Sequence, residues 1–112
     1  MAKKVFYTLI RDVIEDGSPY VTFIKREGFD VPNDFNLDLA VYNAKKNKED
    51  QNNWFVVDCD CGLSCGNGAT KKLAMEDAIK KLNKVDMEIY KDSVRKAKEK
   101  FGVPPGKRVM FL

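Results

Sequence analysis

The residues best equipped for chemistry lie in one stretch, Asp58 to Lys72, reading DCDCGLSCGNGATKK. It holds all three cysteines of the 112-residue chain, three of its seven glycines and a pair of lysines. Metal or cluster ligation, thiol catalysis and anion binding at a helix start are the chemistries open to it. A structural zinc site takes four ligands, commonly in pairs spaced C-x2-C or H-x3-H. Here the spacing is C-x-C-x3-C and the chain has no histidine, so Asp58, Asp60 or water would have to complete the set. Three thiolates could also hold an iron–sulfur cluster with an outside ligand. The favoured reading is plainer: Cys59 and Cys61 serve as small buried apolar side chains beside Phe55 and Val57, with no metal and no cofactor.

A nucleophilic thiol needs a neighbouring base or a lowered pKa, and histidine, the commonest base, is missing. Cys65, in a glycine-rich turn ahead of a helix and two lysines, is the one candidate whose surroundings would favour a thiolate; the preferred reading gives it no catalytic role. A P-loop requires G-x4-G-K-[ST], and neither the glycine spacing nor the order Thr70-Lys71 fits. What survives is a generic anion site, with free N–H groups at a helix start, Gly66 and Gly68 keeping side chains away, and Lys71 and Lys72 adding charge.

The segment GNGATKKLAMEDAIKKL resembles the last strand-to-helix junction of a double-stranded RNA-binding domain, matching it at Gly68, Thr70, Lys71, Lys72 and Ala74. Upstream, PYVTFIKREGFDVPNDF is similar to that family's first strand and following loop. The chain departs from the pattern at Met75, where a third basic residue is expected. It departs again at Phe29, Asp30 and Val31, where a proline and a histidine are expected, and in a long polar insertion after Asn43. No family is assigned on these residues.

The elements that must position such groups read as follows. KVFYTLIRDVI fits a helix face or a β-rich strand; Asp16-Gly17, a two-residue hairpin signal flanked by PYVTFIKR, favours the strand. The alternative makes Gly17 a helix stop. GFDVPND is loop. In the segment that follows, Phe35, Leu37, Leu39 and Val41 alternate as a strand would, while Leu37, Ala40, Val41 and Ala44 suit a helix capped by Asn33 or Asp34, and neither period wins for residues 35–46. Residues 45–53 contain no apolar side chain and read as a solvated connection. WFVVDCDC predicts a strand with Phe55, Val57, Cys59 and Cys61 facing the core and Trp54, Val56, Asp58 and Asp60 on the other side.

Gly62, Gly66, Asn67 and Gly68 then supply turn chemistry, and Thr70 caps a helix from Lys71 whose apolar face is Met75, Ala78, Ile79 and Leu82. A second helix runs from its cap Asp86 to Phe101 with Met87, Tyr90, Val94 and Ala97 on one face, and Gly102 stops it. Pro104-Pro105-Gly106 separates it from the apolar end Val109, Met110, Phe111 and Leu112.

A chain of this length, 44% hydrophobic and 33% charged, suits one globular domain over residues 1–112. No segment approaches the ~20 apolar residues of a membrane span, and no secretory leader is evident, so a cytoplasmic protein with reduced thiols is expected. Residues 1–50 carry a net charge of −1 and residues 51–112 a net charge of +4, which places the basic excess in the C-terminal half.

The expected fold is α+β, a small antiparallel sheet packed on one face by the C-terminal helices. The expected function is non-catalytic binding. A protein-interaction module, engaging a protein partner or a second copy, would use Trp54 or the Val109, Met110, Phe111 and Leu112 end. The alternative is nucleic-acid binding, RNA or DNA, through Lys71 and Lys72 and the stripe Lys91, Arg95 and Lys98. Glu88, Asp92 and Glu99 interleave with that stripe and dilute its field.

Overall fold

The computed structural model describes residues 2–13, 17, 19–44, 53–104 and 107–109. Its elements are β1 (Lys3–Val13), β2 (Pro19–Asp30), β3 (Leu39–Asn43), β4 (Trp54–Asp58), β5 (Ser64–Gly68), α1 (Lys71–Lys84), α2 (Met87–Phe101) and β6 (Lys107–Val109). The first five strands form an antiparallel meander in chain order, and β6 pairs with β2. The fold is therefore α+β, as expected, with α1 laid on one face of the sheet. No described helix is long and apolar enough to cross a membrane.

The N-terminal ambiguity resolves as strand: β1 pairs with β2 from Lys3↔Phe29 to Val13↔Pro19. That register leaves an odd number of residues, 14–18, between the last partners, whereas a two-residue turn at Asp16-Gly17 needs an even number. Gly17 has φ 87°, the conformation its lack of a Cβ allows; Asp16 lies outside the described residues.

β2 changes partners along its length. Only Phe29 and Asp30 pair with β3, while the rest of the β1–β2 hairpin folds across the second face of the sheet. Phe6 meets Tyr42 edge-on with ring centroids 5.6 Å apart, and the Arg26 guanidinium lies 5.2 Å from the centre of the Tyr42 ring. The free edge of β1 reaches the turn after β4, where the Leu9 N–H donates to Gly62 O at 2.8 Å. Gly28 sits at the bend: a Cβ there would lie 2.2 Å from the carbonyl oxygen of Val41.

This double cover explains why the segment around β3 shows no period. Leu39 and Val41 belong to the cluster under α1, Ala40 and Tyr42 to the cluster under the hairpin, and all four are buried. A strand covered on both faces reads as a continuous apolar run. Asn33 caps no helix. Its Oδ1 accepts from the Phe35 and Leu37 N–H groups at 3.1 Å each, and its Nδ2 donates to Val31 O and Leu37 O, closing the loop ahead of β3.

Residues 64–68 are a strand, not the turn expected of Gly66, Asn67 and Gly68. Their glycines serve helix packing. A Cβ on Gly66 would come within 2.7 Å of the Ala78 backbone, and one on Gly68 would come within 2.7 Å of the Ala74 nitrogen. α1 therefore lies directly on β5 with Ala74, Ala78 and Leu82 buried, while Met75, expected on that face, is half-buried at the edge of the core and Ile79 is half-buried on its flank.

β5 ends the sheet, and an edge strand offers unpaired backbone to other chains. Asp77 covers part of it: its Oδ2 accepts the Asn67 N–H at 3.0 Å and lies 2.9 Å from Lys81 Nζ. The Lys81 hydrogen bond, helped by that N–H, holds the Asp77 carboxyl below its ordinary value. A depressed pKa means that this support is present above the unfolded-state value of about 3.9 and is lost as pH falls through the lower folded value. Amide exchange at Asn67, corrected for intrinsic rates, should accelerate below about pH 4 and do so at neutral pH in Asp77→Ala; unchanged protection in the variant would remove Asp77 from this role.

Candidate functional site

Two surfaces deserve consideration as sites, one at α2 and one beside α1. Asp86 starts α2, its Oδ1 accepting from the Glu88 and Ile89 N–H groups, and Gly102 ends it with φ 92°. Tyr90, Val94, Lys91, Arg95 and Lys98 then border a cleft of about 340 Å³ against Asp38, Asp58 and Asp60. Asp58 is buried with both oxygens occupied: Tyr90 Oη donates to Oδ2 at 2.7 Å and the Asp60 N–H to Oδ1 at 2.9 Å. Lys98 Nζ lies 3.1 Å from Asp60, and Asp38 pairs with Lys4. Each acid in the cleft is engaged, and the arrangement ties α2 to the sheet.

Sequence reasoning missed the Asp58–Tyr90 pair, 32 residues apart, because only the packing of α2 joins them. A neutral donor to a buried carboxylate contributes more than an ordinary hydrogen bond, so Tyr90→Phe should lower unfolding free energy by about 1.5–3 kcal/mol. Urea denaturation giving the parental value would show that water replaces the phenol at no cost.

The lysine stripe is largely neutralised. Arg95 bridges two carboxylates, with Nη2 2.6 Å from Asp92 and Nη1 2.6 Å from Glu99, while Lys96 pairs with Asp92 and Lys98 with Asp60. At the start of α1, Thr70 Oγ1 accepts the Leu73 N–H as expected of the cap. Lys71 Nζ lies 4.5 Å above the Phe29 ring, and Lys72 is exposed. Trp54, expected as exposed contact surface, is half-buried against the cluster under α1. Val109 pairs with Tyr20 in β6; Met110, Phe111 and Leu112 lie outside the described residues.

The β4 strand stops at Asp58, so Cys59 and Cys61 lie in the turn rather than on an extended strand, and the side expected to grow polar, Trp54, Val56 and Asp58, faces the helices. Cys59 still packs against the cluster that holds Val57, as Phe55 does, and Cys61 is buried. Among the described residues no three His, Cys, Asp or Glu side chains stand where they could share a metal ion. Burial pushes the Cys59 and Cys65 thiols up to about 12 and Cys61 up to about 11. Burial, and next the Asp58 hydrogen bond, also raises the Tyr90 phenol above its ordinary value.

Thiol alkylation of the native protein at about pH 8 should therefore run about a hundredfold slower or more than that of the urea-unfolded chain. Stability carries the same sign. These groups ionise first in the unfolded chain, so their contribution is intact below about pH 8.5 and is lost as pH climbs toward their folded values. Equal alkylation rates in the two states would refute the burial of the thiols.

The second surface is a groove of about 680 Å³ on the flank of α1. Met75 and Ile79 form one apolar wall and Val31 with Pro32, from the turn after β2, the other; Lys72, Lys80 and Lys84 stand along its rim with Glu76. Sequence spacing placed Met75 and Ile79 on one apolar face with Ala78 and Leu82, but missed Ala74, which is buried with those two while Met75 and Ile79 are only half-buried.

No family model, curated protein or solved structure matches this chain.

Proposed function

We propose that this is a non-catalytic binding protein, a protein-interaction module whose contact surface is the groove beside α1. The observation that carries this reading is that Met75, half-buried at the edge of the core, and Ile79 wall an open apolar channel while Ala74, Ala78 and Leu82 fill the helix–sheet contact. The half-buried walls of that channel offer a partner contiguous apolar area to cover. The engaged acids of the α2 cleft and the raised thiols support a role without bond-making chemistry.

The nucleic-acid reading has weaker support. Arg95 and Lys98 already hold carboxylates, and Lys71 is drawn over Phe29, which leaves less free charge for phosphates than the sequence suggests. A photo-crosslinking amino acid at the exposed Asn83, on the groove, discriminates the two in extract of the source cells. A discrete protein adduct that disappears with Ile79→Asp is the expected result. A nuclease-sensitive adduct, or no adduct, overturns the proposal.

A further inference from the structure

The groove specifies its partner more closely than "a protein", and the inference drawn here rests on the interaction reading above. Its walls are aliphatic: among the described residues Met75, Ile79, Val31 and Pro32 line it, and the half-buried Phe35 ring sits in the adjoining hollow that shares Pro32 and Ile79, so the groove itself offers no run of rings on which nucleic-acid bases would stack. Its rim is basic. Lys72, Lys80 and Lys84 outnumber Glu76, and none of the three lysines forms a salt bridge among the described residues, although Lys80 adds to the positive field on Asp77. Lys81, one residue from Lys80, is by contrast held by Asp77.

The length follows from the helix. Lys72 to Lys84 spans twelve steps along α1, about 18 Å at 1.5 Å per residue. A second helix lying alongside would meet that length with about three turns, presenting apolar anchors at i, i+3 or i+4, and i+7. Charges flanking those anchors would meet the lysines. We infer that the α1 groove, with its aliphatic walls Met75, Ile79, Val31 and Pro32 and its basic rim Lys72, Lys80 and Lys84, binds an acidic amphipathic helix of a partner protein.

Three labelled synthetic peptides of about sixteen residues test this: one with a leucine face flanked by glutamates, one with lysines in place of those glutamates, and one with the acidic composition scrambled so that no face forms. Fluorescence anisotropy should show saturable binding of the first, at least about tenfold tighter than of either other. Methyl NMR shifts should centre on Met75 and Ile79. Ile79→Asp, and separately the exposed pair Lys72→Glu with Lys80→Glu, should each weaken binding about tenfold or more, while Lys91→Glu, outside the groove, should leave it unchanged. The charge pair alters only exposed side chains, so its effect stands even where Ile79→Asp perturbs the fold.

Equal binding of the lysine peptide or of the scrambled peptide overturns the inference, as do shifts that centre on α2. Self-association that saturates the groove, seen as a dimer by sedimentation and lost with Ile79→Asp, overturns it in favour of a second copy. If no peptide binds while the Asn83 crosslink still yields a protein adduct, the acidic helix is wrong and the interaction reading stands. If the crosslink yields no protein, that reading falls first.

Discussion

Gly28→Ala should lower unfolding free energy by about 3 kcal/mol and the melting temperature by roughly 10–15 °C. The bend in β2 is where the hairpin leaves the plane of β3 and folds over the second face of the sheet. The added methyl would sit 2.2 Å from the Val41 carbonyl oxygen, with the Phe6 ring and the Tyr42 Cβ each 3.1 Å away. Phe6 could rotate, but the Val41 oxygen belongs to the backbone of a buried central strand and can yield only by moving β3. The loss would register at both ends of the contact: Phe6 and Tyr42 would separate, and the Phe29↔Val41 pairing, one of two that join β2 to β3, would weaken. Gly17→Ala is the control, since its φ of 87° strains an alanine but none of the described residues lies within 4 Å of the new methyl. It should cost about 1–2 kcal/mol, the penalty of the left-handed conformation alone. A Gly28→Ala protein as stable as its parent would mean that β2 does not bend here.

The difference between those two glycines shows what could be read from the chain and what could not. Gly17 and Gly102 announce themselves because the requirement is local: a positive φ at a turn or helix end is met by the residue itself. Thr70 and Asp86 were legible for the same reason, since a cap accepts N–H groups two or three residues on. Gly28, Gly66 and Gly68 answer to atoms elsewhere in the chain, and sequence alone assigned the last two to a turn. β3 was unreadable because burial on both faces erases the period that betrays a half-buried strand. The groove was half legible. Met75, Ile79 and the lysines are visible as types, yet the position of Met75 and Ile79 at the groove follows from Gly66 and Gly68 drawing the alanine face onto β5, and the opposite wall comes from Val31 and Pro32, more than forty residues earlier. The lysine stripe misled in the opposite sense: the cations are there, but Asp60, the partner of Lys98, is supplied by the turn after β4.

The contact between β5 and α1 yields the second large effect, together with a rescue that should fail. Gly66→Ala places a methyl 2.6 Å from the Ala78 nitrogen, 2.7 Å from its Cα and 2.7 Å from its Cβ. Were only the Cβ in the way, Ala78→Gly would make room, and the double variant would recover most of the lost stability. Two of the three closest atoms are helix backbone, so α1 must lift from the sheet whatever residue 78 is. Lifting it loosens Ala74, Ala78 and Leu82 against Val41 and Val56, the packing on which this face of the core depends. The single variant should lose about 2–3 kcal/mol. The double variant should lose as much or more, because glycine inside a helix costs about another 1 kcal/mol relative to alanine. The groove provides an independent readout: raising α1 shifts Met75 and Ile79 against Val31 and Pro32, so binding of the acidic amphipathic peptide should weaken in both variants under conditions where each is still folded. Recovery of stability in the double variant would show that the methyl of Ala78, and not the helix backbone, sets the approach of α1 to the sheet.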